Sequence, residues 1–115
     1  MTTLPTHLSK LWRIFSTRRG LRLAISAHDL GVLMGIDEPD NRTVRRYIDE
    51  LIDFGFCIGS VPKEGGGYFV PTNDPELEFA KRDLLGRAEK LRRRAQQLDD
   101  NFRNGPPQTD LPGTG

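Results

Sequence analysis

Three arginines crowd into the first turns of a short helical pattern. Arg42, Arg45 and Arg46 lie within DNRTVRRYIDELIDFGF, residues 40–56. The chemistry open to them is anion recognition: a guanidinium can neutralise a phosphate or take the O6 and N7 atoms of guanine in a bidentate contact. Asn41 and Thr43, beside them, add an amide and a hydroxyl. On a wheel of 3.6 residues per turn, Val44, Tyr47, Ile48, Leu51 and Ile52 share one face, predicted to be buried. Arg42, Arg45, Arg46, Asp49 and Asp53 point away from it. This charge order opposes the helix dipole, with cations at the positive end and Asp49, Glu50 and Asp53 toward the negative end. The pairs Arg45–Asp49 and Arg46–Glu50 also run in the weaker direction for a helix ion pair. Each effect is worth only some tenths of a kcal/mol, about 0.3–1 kcal/mol for the dipole part. A helix that aims its first turns at an external anion accounts for the order. A solvated face with weak local pairs is the plainer alternative.

Composition limits what such a helix can belong to. The chain has 115 residues, 36% of them hydrophobic, and a formal net charge of +1, which suits one small domain with a solvated extension. Near-neutral charge removes any argument from overall basicity, so a binding surface must come from local segregation of charge. The lone Cys57 excludes an internal disulfide and a cysteine-based zinc cluster, and is expected to be a small buried side chain. His7 and His28 lack partners at ligand spacing, so no metal and no cofactor are expected. No nucleophile–base arrangement or carboxylate pair stands out, so the reading is not an enzyme. No apolar run approaches membrane length and no leader pattern is visible, which predicts a cytoplasmic protein with no membrane partner.

The elements around the arginine helix can be read in order. Leu8, Leu11, Trp12 and Phe15 predict a first helix opening at Pro5-Thr6, with Arg18 and Arg19 in its last turn and Gly20 as its stop. The alternation 21–25 predicts a brief strand carrying Arg22. Ser26 is an N-cap with Asp29 three residues on, opening a second helix with Leu30, Leu33 and Met34 inward and closing at Gly35. Asp37-Glu38-Pro39 then leads to Asp40, the expected cap of the arginine helix. Gly55 should end that helix. Strands are expected at 56–61 and 68–70, joined by the Gly-rich loop 62–67, with Lys63 near its tip.

Beyond the hinge 71–73, Asp74-Pro75-Glu76 marks a strong helix start. The helix should run to about residue 103. Leu77, Leu84, Leu91 and Leu98 recur every seven residues, with Lys81, Ala88, Ala95 and Phe102 four after each. That is a seam for self-association. In a parallel pair Arg87 would oppose Arg92 and repel, while Arg94 and Asp99 would attract. The alanines leave a narrow seam that suits close packing, antiparallel packing included. Folding back onto the chain's own domain is the other use of such a stripe. Residues 104–115 hold no core-forming pattern and are expected to be a disordered tail.

The order helix, strand, helix, turn, helix, hairpin resembles the winged helix-turn-helix family. The residues that carry the resemblance are 29–36, DLGVLMGI, followed by Arg42-Thr43-Val44-Arg45-Arg46. Gly31 would let two helices cross closely, Gly35 would make the turn, and Val44 with Ile48 would anchor the second helix. The resemblance covers about residues 7–71 and implies a mainly α fold with a small β-hairpin, an α+β chain. With the patterns read above, the chain is expected to divide into a winged helix-turn-helix domain over 1–73, a dimerisation arm over 74–103 and a disordered tail over 104–115. The resemblance further implies a bacterial or phage-type transcriptional regulator that binds double-stranded DNA as a homodimer. The second helix would enter the major groove and the hairpin would lie along the backbone. The residues expected at DNA are then Asn41, Arg42, Thr43, Arg45, Arg46, Lys63 and Arg22. Those expected at the dimer seam are Leu77, Leu84, Ala88, Leu91, Ala95 and Leu98. The turn 37–40 departs from the family, being about three residues long in excess and acidic; its acids would complement the N-terminus of the following helix. A winged helix used as a protein-interaction adaptor in a replication, recombination or assembly complex is the alternative.

Overall fold

A computed structural model of the chain describes residues 3–62 and 66–107. The chain divides into two compact units, one running through Asp83 and one from Leu84 onward. It is mainly helical with one small antiparallel sheet.

Helix α1 spans Thr6–Ser16 and buries Leu8, Leu11 and Phe15, the stripe set by their spacing. Helix α2 spans Ala27–Met34, and its Ser26 cap accepts the Asp29 N–H at 3.1 Å. Helix α3 spans Arg42–Asp53 and buries Val44, Ile48 and Leu51. These side chains, with Ile25, Ala27, Leu30, Met34 and Val70, form one core. Trp12 and Tyr47 pack against it half-buried, Trp12 in ring contact with Phe56 at 4.5 Å.

Of the three predicted glycine stops, Gly35 and Gly55 are present, each built from paired reverse hydrogen bonds, whereas α1 ends at Ser16, four residues before Gly20. Ile36 N–H reaches the Gly31 carbonyl at 2.8 Å and Gly35 N–H the Val32 carbonyl at 3.2 Å. Phe56 N–H reaches Leu51 at 3.1 Å and Gly55 N–H reaches Ile52 at 2.9 Å. Gly35 and Gly55 take φ of 75° and 109°, the positive values this helix ending requires.

Several expectations are corrected. Helix α1 stops at Ser16, so Arg18 and Arg19 follow it; Arg19 lies over the Trp12 ring at 5.6 Å. No strand forms over 21–25: Leu21–Leu23 is a 3₁₀ turn, and only Ile25 pairs with Tyr68, by bonds of 2.8 and 2.9 Å. The reason is long-range, because Glu76 Oε2 accepts the Leu21 N–H at 3.1 Å and holds that stretch in a turn. Leu33 and Ile52, at the margins of their helical stripes, are exposed. Cys57 is exposed as well.

The strands are shorter than expected, β1 Gly59–Ser60 and β2 Tyr68–Phe69, with Gly59 opposite Phe69 and Ser60 opposite Tyr68. Helix α4 spans Asp74–Asn104. Its side-chain cap is Asn73 rather than Asp74, since Asn73 Oδ1 accepts the Glu76 N–H at 2.9 Å. Within the first unit Ala80 is buried and Phe79 meets Phe69 at 6.4 Å between ring centroids. Residues 105–107 follow the helix; the tail expected over 108–115 lies outside the described residues.

Candidate nucleic-acid interface

Helix α3 meets α2 where α2 has no side chain. A Cβ placed on Gly31 would stand 3.1 Å from the Ile36 carbonyl oxygen and 3.6 Å from Val44 Cγ2. The close approach fixes α3 by its buried face and turns Arg42, Arg45 and Arg46 outward. The Arg42 and Arg46 side chains are 82% and 64% exposed, enough to reach a partner without unfolding anything.

The acidic turn finds its purpose at the start of α3. Asn41 sits in the left-handed region at φ 55°, a conformation asparagine tolerates. Its side chain caps nothing. Glu38 and Asp40 do that work in place of the expected Asp40 cap alone: Glu38 Oε1 accepts the Thr43 N–H at 2.8 Å, and Asp40 Oδ1 accepts the Arg42 N–H at 3.2 Å. The Thr43 hydroxyl, and then its N–H, donate to Glu38 and hold its carboxyl below the ordinary value. Two carboxylates thus occupy two of the free amides where a helix N-terminus would otherwise receive an anion. The exposed guanidinium groups are the main groups left to meet an external anion.

The three arginines differ in how far they are engaged. Arg42 has Asp40 at 3.4 Å, and Arg46 has Glu50 at 3.8 Å while lying over the Tyr47 ring at 5.6 Å. Pairs that exposed and that long contribute little and exchange readily for a stronger anion. Arg45 is exposed, its backbone N–H closes the first helical turn on the Asn41 carbonyl at 3.1 Å, and its guanidinium has no hydrogen bond or ion pair among the described residues. Thr43, by contrast, commits its N–H and hydroxyl to Glu38. Down the same stripe Asp49 and Asp53 are exposed, so the basic surface ends after two turns.

Arg22 is exposed on the 3₁₀ turn, away from α3 in sequence. Lys63 lies outside the described residues. Of the seam residues, Leu77 is half-buried in the first unit, whereas Leu84, Ala88, Leu91, Ala95 and Leu98 are exposed in the second.

Two positioning residues escaped the sequence reading. Glu76 accepts the Thr72 N–H at 2.9 Å, the Thr72 hydroxyl at 3.0 Å and the Leu21 N–H at 3.1 Å, tying the Arg22 turn to the start of α4. Its carboxyl is held below the ordinary value by the Thr72 and Leu21 backbone N–H groups. His7 Nε2 meets Glu50 Oε2 at 3.0 Å and its ring lies tilted against Tyr47, centroids 4.3 Å apart, pinning α1 to α3 behind the arginines. An asparagine followed three residues later by glutamate signals the first; no local pattern signals the second.

Among the described residues, no group of three or more His, Cys, Asp or Glu is placed to hold a metal ion, and no helix is long and apolar enough to cross a membrane. The chain matches no protein-family model, and neither curated proteins nor solved structures give a significant match.

Proposed function

We propose that the chain is a winged helix-turn-helix protein that binds double-stranded DNA, acting as a small sequence-specific regulator and as a homodimer. The observation that carries the reading is the exposed Arg42–Arg45–Arg46 stripe on the first two turns of α3, a helix seated closely on α2 at Gly31. Arg45 and Arg46 reach base edges or phosphates in the major groove. Arg42 trades its Asp40 contact for a phosphate, and Asn41 and Arg22 lie at the margin. The leucines of α4 join two copies, so that two half-sites are read together. The reading assigns a binding role and no catalysis.

A second reading has its own observation. Val32 and Leu33 are exposed on the outer side of α2. A protein partner docking there would make the chain an adaptor, and neither DNA nor the arginines would be required.

Selection of bound sequences from a random duplex pool separates the two. The DNA reading predicts enrichment of a two-fold symmetric site with half-sites about one helical turn apart or a multiple of it. A pool that stays random after repeated rounds overturns it.

A further inference from the structure

Taking the homodimer of the proposed function as its basis, we infer that α4 pairs with a second copy in antiparallel register, crossing between Gln96 and Gln97. The argument concerns residues 84–104, every described side chain of which is exposed apart from a half-buried Glu89. Leu84, Leu91, Leu98 and Phe102 stand unburied along one helix; the crossing at 96–97 covers the last three and leaves Leu84 outside the paired length.

Layer packing favours opposed chains. A parallel pair stacks like on like, so Ala88 and Ala95 would each face their own copies and leave thin layers between thick leucine ones. An antiparallel pair sets a positions against d positions. Ala95 then faces the partner's Leu98, and Leu91 faces the partner's Phe102, small against large at one layer and two large groups at the helix end.

The flanking charges select the register. With the crossing at 96–97, Arg92 faces the partner's Asp99, and this attractive pair occurs twice by symmetry. Arg94 faces the partner's Asn101, a donor against an amide acceptor. Sliding the crossing half a heptad toward the N-terminus, to residue 93, sets Arg92 against the partner's Arg92 and Arg94 against the partner's Arg94. Sliding it further, to 89–90, sets Arg87 against the partner's Arg94. The parallel arrangement sets Arg87 against the partner's Arg92. Of these four arrangements, only the 96–97 crossing brings no like charges together. Asp99 is suited to a second cation, because Arg103 of its own helix engages Oδ2 at 3.1 Å, while Arg92 is held on its own helix by Glu89 at 2.7 Å, in position beside the seam.

Distances and charge swaps test this on the full chain. In a Cys57→Ser background, a nitroxide on Gly86→Cys should report a separation above roughly 30 Å, because the two labels are offset by about 32 Å along the axis at ~1.5 Å per residue. A parallel pair would hold them at one height, within roughly 20 Å, and that result overturns the inference. A label on Gln97→Cys lies near the crossing and should give a short distance. Arg92→Asp and Asp99→Arg should each weaken dimerisation about tenfold, and the double swap should restore it, with helix content by circular dichroism unchanged. Tighter pairing by Arg92→Asp, which a parallel dimer predicts, also overturns it. A chain that sediments as a monomer at about 100 μM, far above ordinary dimer affinities, removes the dimer itself and this inference with it, and leaves DNA binding to its own test.

Discussion

Replacing Gly59 by alanine puts a methyl carbon 2.6 Å from Ala80 Cβ and 3.2 Å from the Phe69 ring. The first contact is too short to persist, so β1 must move off α4 or the helix must shift. Overpacking of this kind costs about 1–3 kcal/mol. Loss of glycine's freedom in the unfolded chain offsets about 0.4–1 kcal/mol of that, for a net destabilisation of roughly 1–2 kcal/mol. Ala80→Gly alone should cost about 1 kcal/mol in helix propensity and about 0.8 kcal/mol for its buried methyl. Made together, the two changes move one methyl from the helix to the strand and leave the gap filled. The double variant should therefore be more stable than the sum of the single losses by about 1–2 kcal/mol. Urea unfolding followed by circular dichroism reads all four corners of the cycle. Additivity within about 0.5 kcal/mol would refute the claim that the hairpin base rests on Ala80.

Three further outcomes follow from individual contacts. Glu38 and Glu76 ionise below their ordinary value of 4.5. Each therefore stabilises the folded chain above that pH, and the contribution is lost as the pH falls through the lowered folded-state value. Thermal midpoints should decline below about pH 4.5 and decline less in Glu76→Gln, read by melts between about pH 7 and 3. Gly55→Ala, at φ 109°, should lose about 1–2 kcal/mol in denaturant titrations, since an L side chain resists that backbone conformation. Gly86→Ala has open space around it and should raise the far-ultraviolet helix signal, with a gain of about 0.5–1 kcal/mol in helix stability.

The helices were legible because their burial is periodic. Leu8, Leu11 and Phe15, and again Val44, Ile48 and Leu51, are buried at the positions a 3.6-residue repeat assigns. The stops at Gly35 and Gly55 and the cap at Ser26 are local chemistry and were equally readable. What failed depends on distant partners. The alternation at 21–25 looks like a strand until Glu76, 55 residues away in sequence, takes the Leu21 N–H. Leu33 and Ile52 lie at stripe margins, where a wheel cannot say which neighbour the helix will meet. At the arginine helix the residues were visible, but their engagement was not. Which guanidinium is held locally depends on how the turn 37–40 folds, and a positive φ at Asn41 is what brings Glu38 and Asp40 onto the helix start. The acids that complement the N-terminus of α3 therefore precede the helix rather than lying within its first turn.

Whether Arg45 and Arg46 contact DNA, as proposed, is decided by duplex affinity as a function of salt. Fluorescence anisotropy with a labelled duplex should show binding at about 50 mM salt and a log Kd that rises linearly with log salt, with a slope of about 0.9 for each phosphate neutralised. The Arg45→Ala, Arg46→Ala double variant, folded by circular dichroism, should bind far more weakly and with a slope shallower by up to about 1.8, according to how many of the two meet phosphate. Absence of binding at that salt, or a double variant with unchanged affinity and slope, would contradict the account.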